Sequence, residues 1–429
     1  MSAPPPSRGR LIAFRFGALV AMIYLFPFPL NLIPKTDWLS GPLNKPLEWL
    51  TSLVGHVAFG LGDPPGPTGS SDTTYAYVKV LTIVLLAALG AGVWSVIDRR
   101  RVSYPRLAAW LVIALRYFLA YMMIDYGFAK ITKSQFPDLT PLRLSQPVGD
   151  MSPMGLLWTF MGYSTAYTGF AGALEAVGGV LLLWRRTATL GALLVCVVMS
   201  NVVMLNLCYD VAAKLLAAKL LIIALVLALS RMRRLIAAAM GHATDEEPPR
   251  TRLSGRGERA RLIAKLAAVL GIAWAVYGDV SRAMGRKDHV HELYGAWSVE
   301  SFVSDGVERG DAGTDPGRWR TVIANPRSLA ILPMTGEREV LPLQVDAIEH
   351  AITVTLDDRV KDNARPQPGH DKLGDRGKEV WSYTRPAPDR LVIEGVHRGR
   401  SLHVVLRRDP EPPLVSRGFH WITEVPFSR

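Results

Sequence analysis

The chain has 429 residues, 49% of them hydrophobic, with a formal net charge of +12 and two cysteines. Two cysteines without a C-x-x-C exclude a disulfide-built scaffold and a dithiol redox centre. From Arg286 to Arg429 there are 21 Lys+Arg against 22 Asp+Glu, so the positive surplus lies entirely before that point and leaves no basic stripe there for nucleic acid.

The N-terminal "MSAPPPSRG" is a polar tail, and an apolar run near 11–33 follows it. Arg8 and Arg10 flank this run as they would a signal peptide, but only "FPFPLNLIP" follows. With no small-residue cleavage site, an uncleaved anchor is expected. The loop 34–75 contains "PLEWLTSLVGHVAFGLG", an amphipathic stretch suited to a membrane surface, and then the turn-forming "DPPGPTGSSD". Apolar runs recur near 76–97, 107–131, 165–184, 187–207, 211–230 and 262–280. With the first they make seven, each of the order of the ~20 helical residues that cross a bilayer. The proline-rich loop 132–164 ends in "PVGDMSPMGLLWTFMGYS", a half-buried helix leading into the fourth span, and 240–261 reads as a linker. The spans from 165 to 230 are joined by very short connections, so they are antiparallel neighbours.

Beyond Asp279 the helical period gives way to alternation. "AWSVESFV", "RWRTVIA", "SLAILPM", "AITVTLDD", "VWSYTRP", "RLVIEGVH", "SLHVVLRRD" and "FHWITEV" read as short strands, and so as a small antiparallel barrel or sandwich. "LYGAWSVESF" resembles the G-x-W opening of lipocalin-like barrels over three or four residues; Trp297 equally suits a plug at one end of a β core.

The basic clusters fix an expected orientation. They stand at 8–10, 98–101 with Arg106, 185–186, 231–234 and 249–261. With a cytoplasmic N-terminus all of them face the cytoplasm, while the opposite loops hold scattered Lys35, Lys45, Lys133 and Arg143. Seven crossings then put the C-terminal part in the periplasm of an inner-membrane protein. The expected divisions are 1–100, two helices with a periplasmic loop; 101–235, a four-helix core; 236–284, a cytoplasmic linker and seventh helix; and 285–429, a periplasmic β domain.

This topology sorts the intramembrane polar residues by depth. Arg116 and Glu175 fall near mid-membrane with opposite sign, and a pair between them is expected. Asp125, Tyr126, Lys130, Tyr167, Asn201, Asn206, Asp210 and Lys214 fall toward the outer side. Arg116 and Lys130, fourteen residues apart, share a helix face, so Glu175 and Asp210 are their expected partners. These groups form either a network that fixes helix order or an outward-facing pocket for a ligand, a quinone head group or a proton. Small residues at 169, 171–173, 178 and 179 make the fourth span central. Cys196 and Cys208 are about 18 Å apart along one helix and do not pair with each other.

Absent motifs narrow the chemistry. None of the seven spans holds a histidine, which argues against bis-histidine haem. There is no Walker sequence, no G-x-S-x-G and no zinc-type spacing. "KDHVHE" places His289 and His291 on one strand face without a third ligand, and no metal is expected there. His397, His403 and His420 read as ordinary strand residues.

"YGFAKI" and the stretch from "MGYSTAYTGFAGALEAVGG" through "NVVMLNLCYDVAAKLLAAKLLI" resemble the DoxX family of membrane proteins. The resemblance lies in Gly127-x-x-Lys130, in Glu175 with Gly178 and Gly179, and in the asparagine- and aspartate-bearing helix that follows. It implies a four-helix core in spans three to six and a link to quinone-coupled or oxidative-stress redox complexes. Two helices before the core, one after it and the β domain are additions, and "SRGFHWITEVPFSR" is similar to the ending of long DoxX-like proteins. The expected fold is therefore a polytopic helical bundle of about seven spans with a C-terminal barrel-like β domain. The expected function is a membrane component of a redox system; the alternative is a non-enzymatic carrier or envelope assembly factor whose β domain binds a lipid or protein partner. Catalysis is left open, and no cofactor is evident apart from an open place for a bound quinone.

Overall fold

The computed structural model describes residues 7–29, 37–62, 70–232, 236–237, 240–241, 255–285, 290–310, 315, 317–356 and 377–418. The chain forms two compact units. One comprises Met1–Asp138 with Ser152–Arg286, and the other Leu139–Met151 with Lys287–Arg429.

The first unit is helical. It contains α1 (Arg8–Leu25), α2 (Asp37–Phe59), α3 (Thr74–Ile97) and α4 (Pro105–Ile131). After an excursion through α5 (Pro141–Leu144) in the second unit, it resumes with α6 (Pro153–Tyr163), α7 (Thr165–Leu182), α8 (Ala188–Cys208), α9 (Lys214–Leu229) and α10 (Gly255–Gly285). Local chemistry starts these helices. Thr73, Ser152 and Ser164 accept hydrogen bonds from Ala76, Gly155 and Tyr167 backbone N–H, capping α3, α6 and α7. Pro105 and Pro153 sit at first positions, where a missing N–H does no harm.

Among the described residues, α3, α4, α7 and α8 are long and apolar enough to cross a membrane by length and composition. The expected spans near 11–33, 211–230 and 262–280 are helical too, but differ in detail. α1 carries Arg8, Arg10 and Arg15 and stops at Leu25, before Pro27 and Pro29, which cannot continue its hydrogen bonding. α9 has 16 residues, and several α10 side chains lie outside the described residues. α2 turns Trp49, Leu53 and Val57, spaced by four, outward. The core runs α4, α7, α8, α9 and back to α4, with Leu119, Leu182, Val195, Leu220 and, from α10, Ile272 in one apolar cluster.

The second unit is a barrel. Its strands are β1 (Gly295–Ser304), β2 (Val307–Glu308), β3 (Trp319–Ala324), β4 (Ser328–Pro333), β5 (Glu339–Asp346), β6 (Ala351–Thr355), β7 (Lys378–Ala387), β8 (Arg390–His397) and β9 (Arg400–Arg408). Neighbours pair antiparallel, and β1 pairs β9, closing eight strands with β2 as a short flap on β1. Alternation decides what faces inward: Ile352 and Val354, Trp381 and Tyr383, and Leu402, Val404 and Leu406 are buried at every second position. With Trp297, Phe302 and Trp319 they fill the interior. Asp305–Gly306 and Arg398–Gly399, all at positive φ, turn the β1–β2 and β8–β9 hairpins. Trp297 plugs the core, its Nε1 donating to Leu293 O at 2.8 Å. β5 was not among the expected strands because Pro342 interrupts it. The expected strand "FHWITEV" lies outside the described residues. α5 joins this unit through Leu142, whose N–H faces Asn325 Oδ1 at 3.5 Å.

Candidate functional site

The site is built from the seam between α4 and α7. A Cβ on Gly127 would stand 2.6 Å from Gly172 O, and one on Gly179 would stand 2.8 Å from Ala120 O. Only glycine permits this approach, and the two contacts fix an antiparallel register. In that register Lys130 Nζ donates to Glu175 Oε2 at 2.7 Å. The residues are 7% and 2% exposed. The rings of Tyr126 and Phe136 flank the ammonium, each centroid 5.9 Å from Nζ. Phe136 packs on Trp158 of α6 at 5.0 Å, and Thr168 Oγ1 donates to Met161 O, tying α6 to α7. An unpaired charge buried there would cost several kcal/mol, whereas the pair is neutral overall. An ammonium has three N–H groups; one is used by Glu175, which leaves two without a hydrogen-bond partner among the described residues.

The same register separates Arg116 from Glu175, against the expected pairing. It carries Arg116 toward the other end of α7, to the level of Leu183–Arg185. There Arg116 lies over the Tyr117 ring at 5.1 Å, and its Nε is buried without a partner. The expectation erred by starting α7 at the same depth at which α4 ends; the first turns of α7 run past that point.

The other outer residues separate as well. Lys214 Nζ donates to Asp210 Oδ1 at 2.7 Å, but Asp210's side chain is 79% exposed. Asp72 anchors this turn: its carboxylate accepts from Lys214 N at 2.7 Å and Leu215 N at 2.9 Å, capping α9 from a distant loop. Asn206 Nδ2 donates to Ala213 O at 3.0 Å, which closes the α8–α9 turn. Asp125 lies beside Asp279 and Arg282 of α10, which pair with each other. Asn201 and Tyr167 are exposed, Tyr167 against Phe160 at 5.5 Å. Of the expected set, Tyr126, Lys130 and Glu175 come together; Lys214 and Asp210 form a separate pair.

Two clusters escaped the sequence reading. Arg15 in α1 is 4% exposed. It donates to Tyr104 Oη from Nε at 3.0 Å and from Nη2 at 2.8 Å, to Ser95 Oγ at 2.8 Å and to Asp98 O at 2.7 Å. The Tyr104 hydroxyl in turn donates to Asp98 at 2.8 Å, so four of the five N–H donors of this arginine are met and it binds α1, α3 and the start of α4 together. In the barrel, His397 has Glu379 at Nδ1, 2.8 Å away, and Glu339 at Nε2, 3.3 Å away. A carboxylate at each nitrogen makes both nitrogens donors, which is the imidazolium. Burial opposes that charge; the two carboxylates outweigh it and raise the pKa above its ordinary value. Glu339 is held below the usual carboxylate range by His397, against burial and with help from Arg398. The two carboxylates lie at different ring nitrogens, so they do not converge on one ion. The described residues hold no group of three or more His, Cys, Asp or Glu placed for a metal. His289 lies outside the described residues, and His291 Nε2 is 2.9 Å from Asn325 O.

The family model described as DoxX matches residues 111–207, from α4 to the end of α8, and so includes Lys130 and Glu175. An uncharacterized protein of Bacillus subtilis (strain 168), YwoB, is 38% identical over 112 residues, 26% of this chain and 71% of the relative. No solved structure matches the chain. With the glycine-packed α4–α7 seam and its lysine–glutamate pair inside the shared segment, the chain belongs to the DoxX family.

Proposed function

We propose that this chain is a membrane component of a quinone-linked or oxidative-stress redox system, with its ligand or proton site at Lys130 and Glu175. The observation that carries the reading is the burial of that pair beside Tyr126 and Phe136. The ammonium has two N–H groups beyond the Glu175 bond, beside the Tyr126 and Phe136 rings, and a quinone head group could accept from it at one carbonyl oxygen and stack on an aromatic ring. Lys130 Nζ and the Tyr126 hydroxyl would hold a carbonyl oxygen, and the Phe136 ring would lie against the head group. A bound quinone supplies two-electron, two-proton redox chemistry. The chain's own part is to exclude water and to hold a proton between Lys130 Nζ and Glu175 Oε2. We further propose an inner-membrane orientation with the N-terminus cytoplasmic and the barrel periplasmic, because every basic loop cluster then faces the cytoplasm. The barrel interior is filled by side chains, so a periplasmic partner would meet its outer surface.

The test measures quinone in full-length protein purified into native-lipid nanodiscs. Lys130→Ala leaves a buried carboxylate unpaired and is expected to destabilise by about 3–5 kcal/mol, whereas Lys130→Met/Glu175→Leu folds at near wild-type stability. Quinone is expected with the wild type and lost from the folded double variant. Equal quinone content in both, or none in the wild type, overturns the reading.

A further inference from the structure

Two lysines at one end of the helical unit lack an acidic partner. Ser71 N donates to Ala212 O at 3.0 Å, and Asp72 accepts from Lys214 N and Leu215 N at 2.7 and 2.9 Å, so α3 and α9 start side by side from one pinned turn. Lys79 is the sixth residue of α3 and Lys219 the sixth of α9, each about 7.5 Å in along its helix. Both are half-buried. Lys79 shares a helix face with Gly90, three turns on, and a Cβ on Gly90 would stand 2.9 Å from Leu19 Cδ1, so this face looks toward α1. From the other side Lys219 Nζ lies over the ring of Tyr24 in α1, 4.6 Å from its centroid. Asp72 spends both carboxylate oxygens on the start of α9, and the Lys214 ammonium is met by Asp210. Lys79, Lys219 and the Tyr24 hydroxyl have no hydrogen bond or ion pair among the described residues. Two ammonium groups drawn out of water toward one helix repel each other, and a ring face offsets only part of the lost hydration. An anion bound between them would offset both costs. Lys219 also heads an apolar stripe: Ile222, Val226 and Leu229, three, seven and ten residues on, are exposed on its side of α9. The stripe leads away from the ammonium as an acyl chain leads away from its head group. A cationic head site continued by apolar surface suits a lipid better than a free ion.

We propose that Lys219 and Lys79, beside the Tyr24 ring, hold the phosphate of an anionic phospholipid whose acyl chain lies along Ile222, Val226 and Leu229. None of these residues belongs to the Lys130–Glu175 seam, and the site stands or falls without it. Full-length protein is placed in nanodiscs of phosphatidylcholine, with or without phosphatidylglycerol. Its thermal midpoint is measured in each, and the lipids it retains on release are counted by native mass spectrometry. Retention of phosphatidylglycerol in preference to phosphatidylcholine is expected. Lys219→Gln and Lys79→Gln should each weaken it about fivefold, while Lys45→Gln, at an exposed position of α2, leaves it unchanged. In phosphatidylcholine alone Lys219→Gln should raise the midpoint, because it removes an unmet charge; phosphatidylglycerol should stabilise the wild type and not this variant. Lys79→Gln keeps the test valid if Lys219→Gln fails to fold. Equal retention of both lipids by the wild type, or equal weakening by Lys45→Gln, overturns the site. Thermal stabilisation by inorganic phosphate without preference for phosphatidylglycerol overturns the lipid assignment in favour of a free anion.

Discussion

His397 shows how little of a single residue's role is visible in a strand pattern. The alternation around it is plain, and it reads as one more strand histidine. Its partners arrive from β5 and β7, 58 and 18 residues away, and only barrel register brings them to the two ring nitrogens. The consequence is a pH dependence with a definite sign. Its pKa is raised on folding, so the contact's stabilisation is complete below about pH 6.5 and is lost as pH climbs through the raised folded value. Glu339 is depressed, so its share is present above its ordinary value of 4.5 and lost as pH falls through the folded one. Trp319 and Trp381 stand edge-on to the imidazole at 5.6 and 5.4 Å. Unfolding of the barrel, followed in the full chain by hydrogen exchange at β5, β7 and β8, should shift to lower denaturant as pH rises from about 6.5 upward. His397→Gln should remove the shift and cost about 1–3 kcal/mol at low pH. A wild-type profile as flat as the variant's would contradict this.

At the scale of elements, apolar runs, capping hydroxyls and proline starts made the helices legible, and alternation made seven of the nine strands among the described residues legible. Helix register was not, because it depends on which small residues meet. Gly172 and Gly179 were visible among the small residues of α7 and Gly127 beside Lys130 on α4, yet only their pairing slides Glu175 to Lys130 and away from Arg116. This seam gives a matched pair of substitutions. Gly127→Ala places a methyl 2.6 Å from backbone oxygen and should destabilise by about 1–3 kcal/mol, with lower folded yield. Gly169→Ala, on α7 with nothing within 4 Å of its Cβ, should leave the thermal midpoint where it is or raise it slightly. Equal midpoints for the two variants would mean that the helices are not held at this contact.

For the molecule as a whole, charge bias predicted a side for every loop, and that prediction has a direct readout. In a background without Cys196 and Cys208, Ile348→Cys stands on a position 92% exposed in the barrel. A membrane-impermeant maleimide should label it in intact spheroplasts, and should label Arg186→Cys only after permeabilisation. The reverse pattern would invert the orientation. The excursion of residues 139–151 into the barrel unit was not legible, since a proline-rich loop shows nothing of what it docks on. That excursion poses a question of parity. If the barrel and the segment directly after α4 share one aqueous compartment, the chain leaves α4 and leaves α10 on the same face of the bilayer. The number of crossings between those two exits must then be even. α7 and α8 supply two, so α9 and α10 traverse together or not at all. Leu227 and Val276 share an apolar cluster with Leu119 of α4, which favours a joint traverse, the short sixteen-residue helix included.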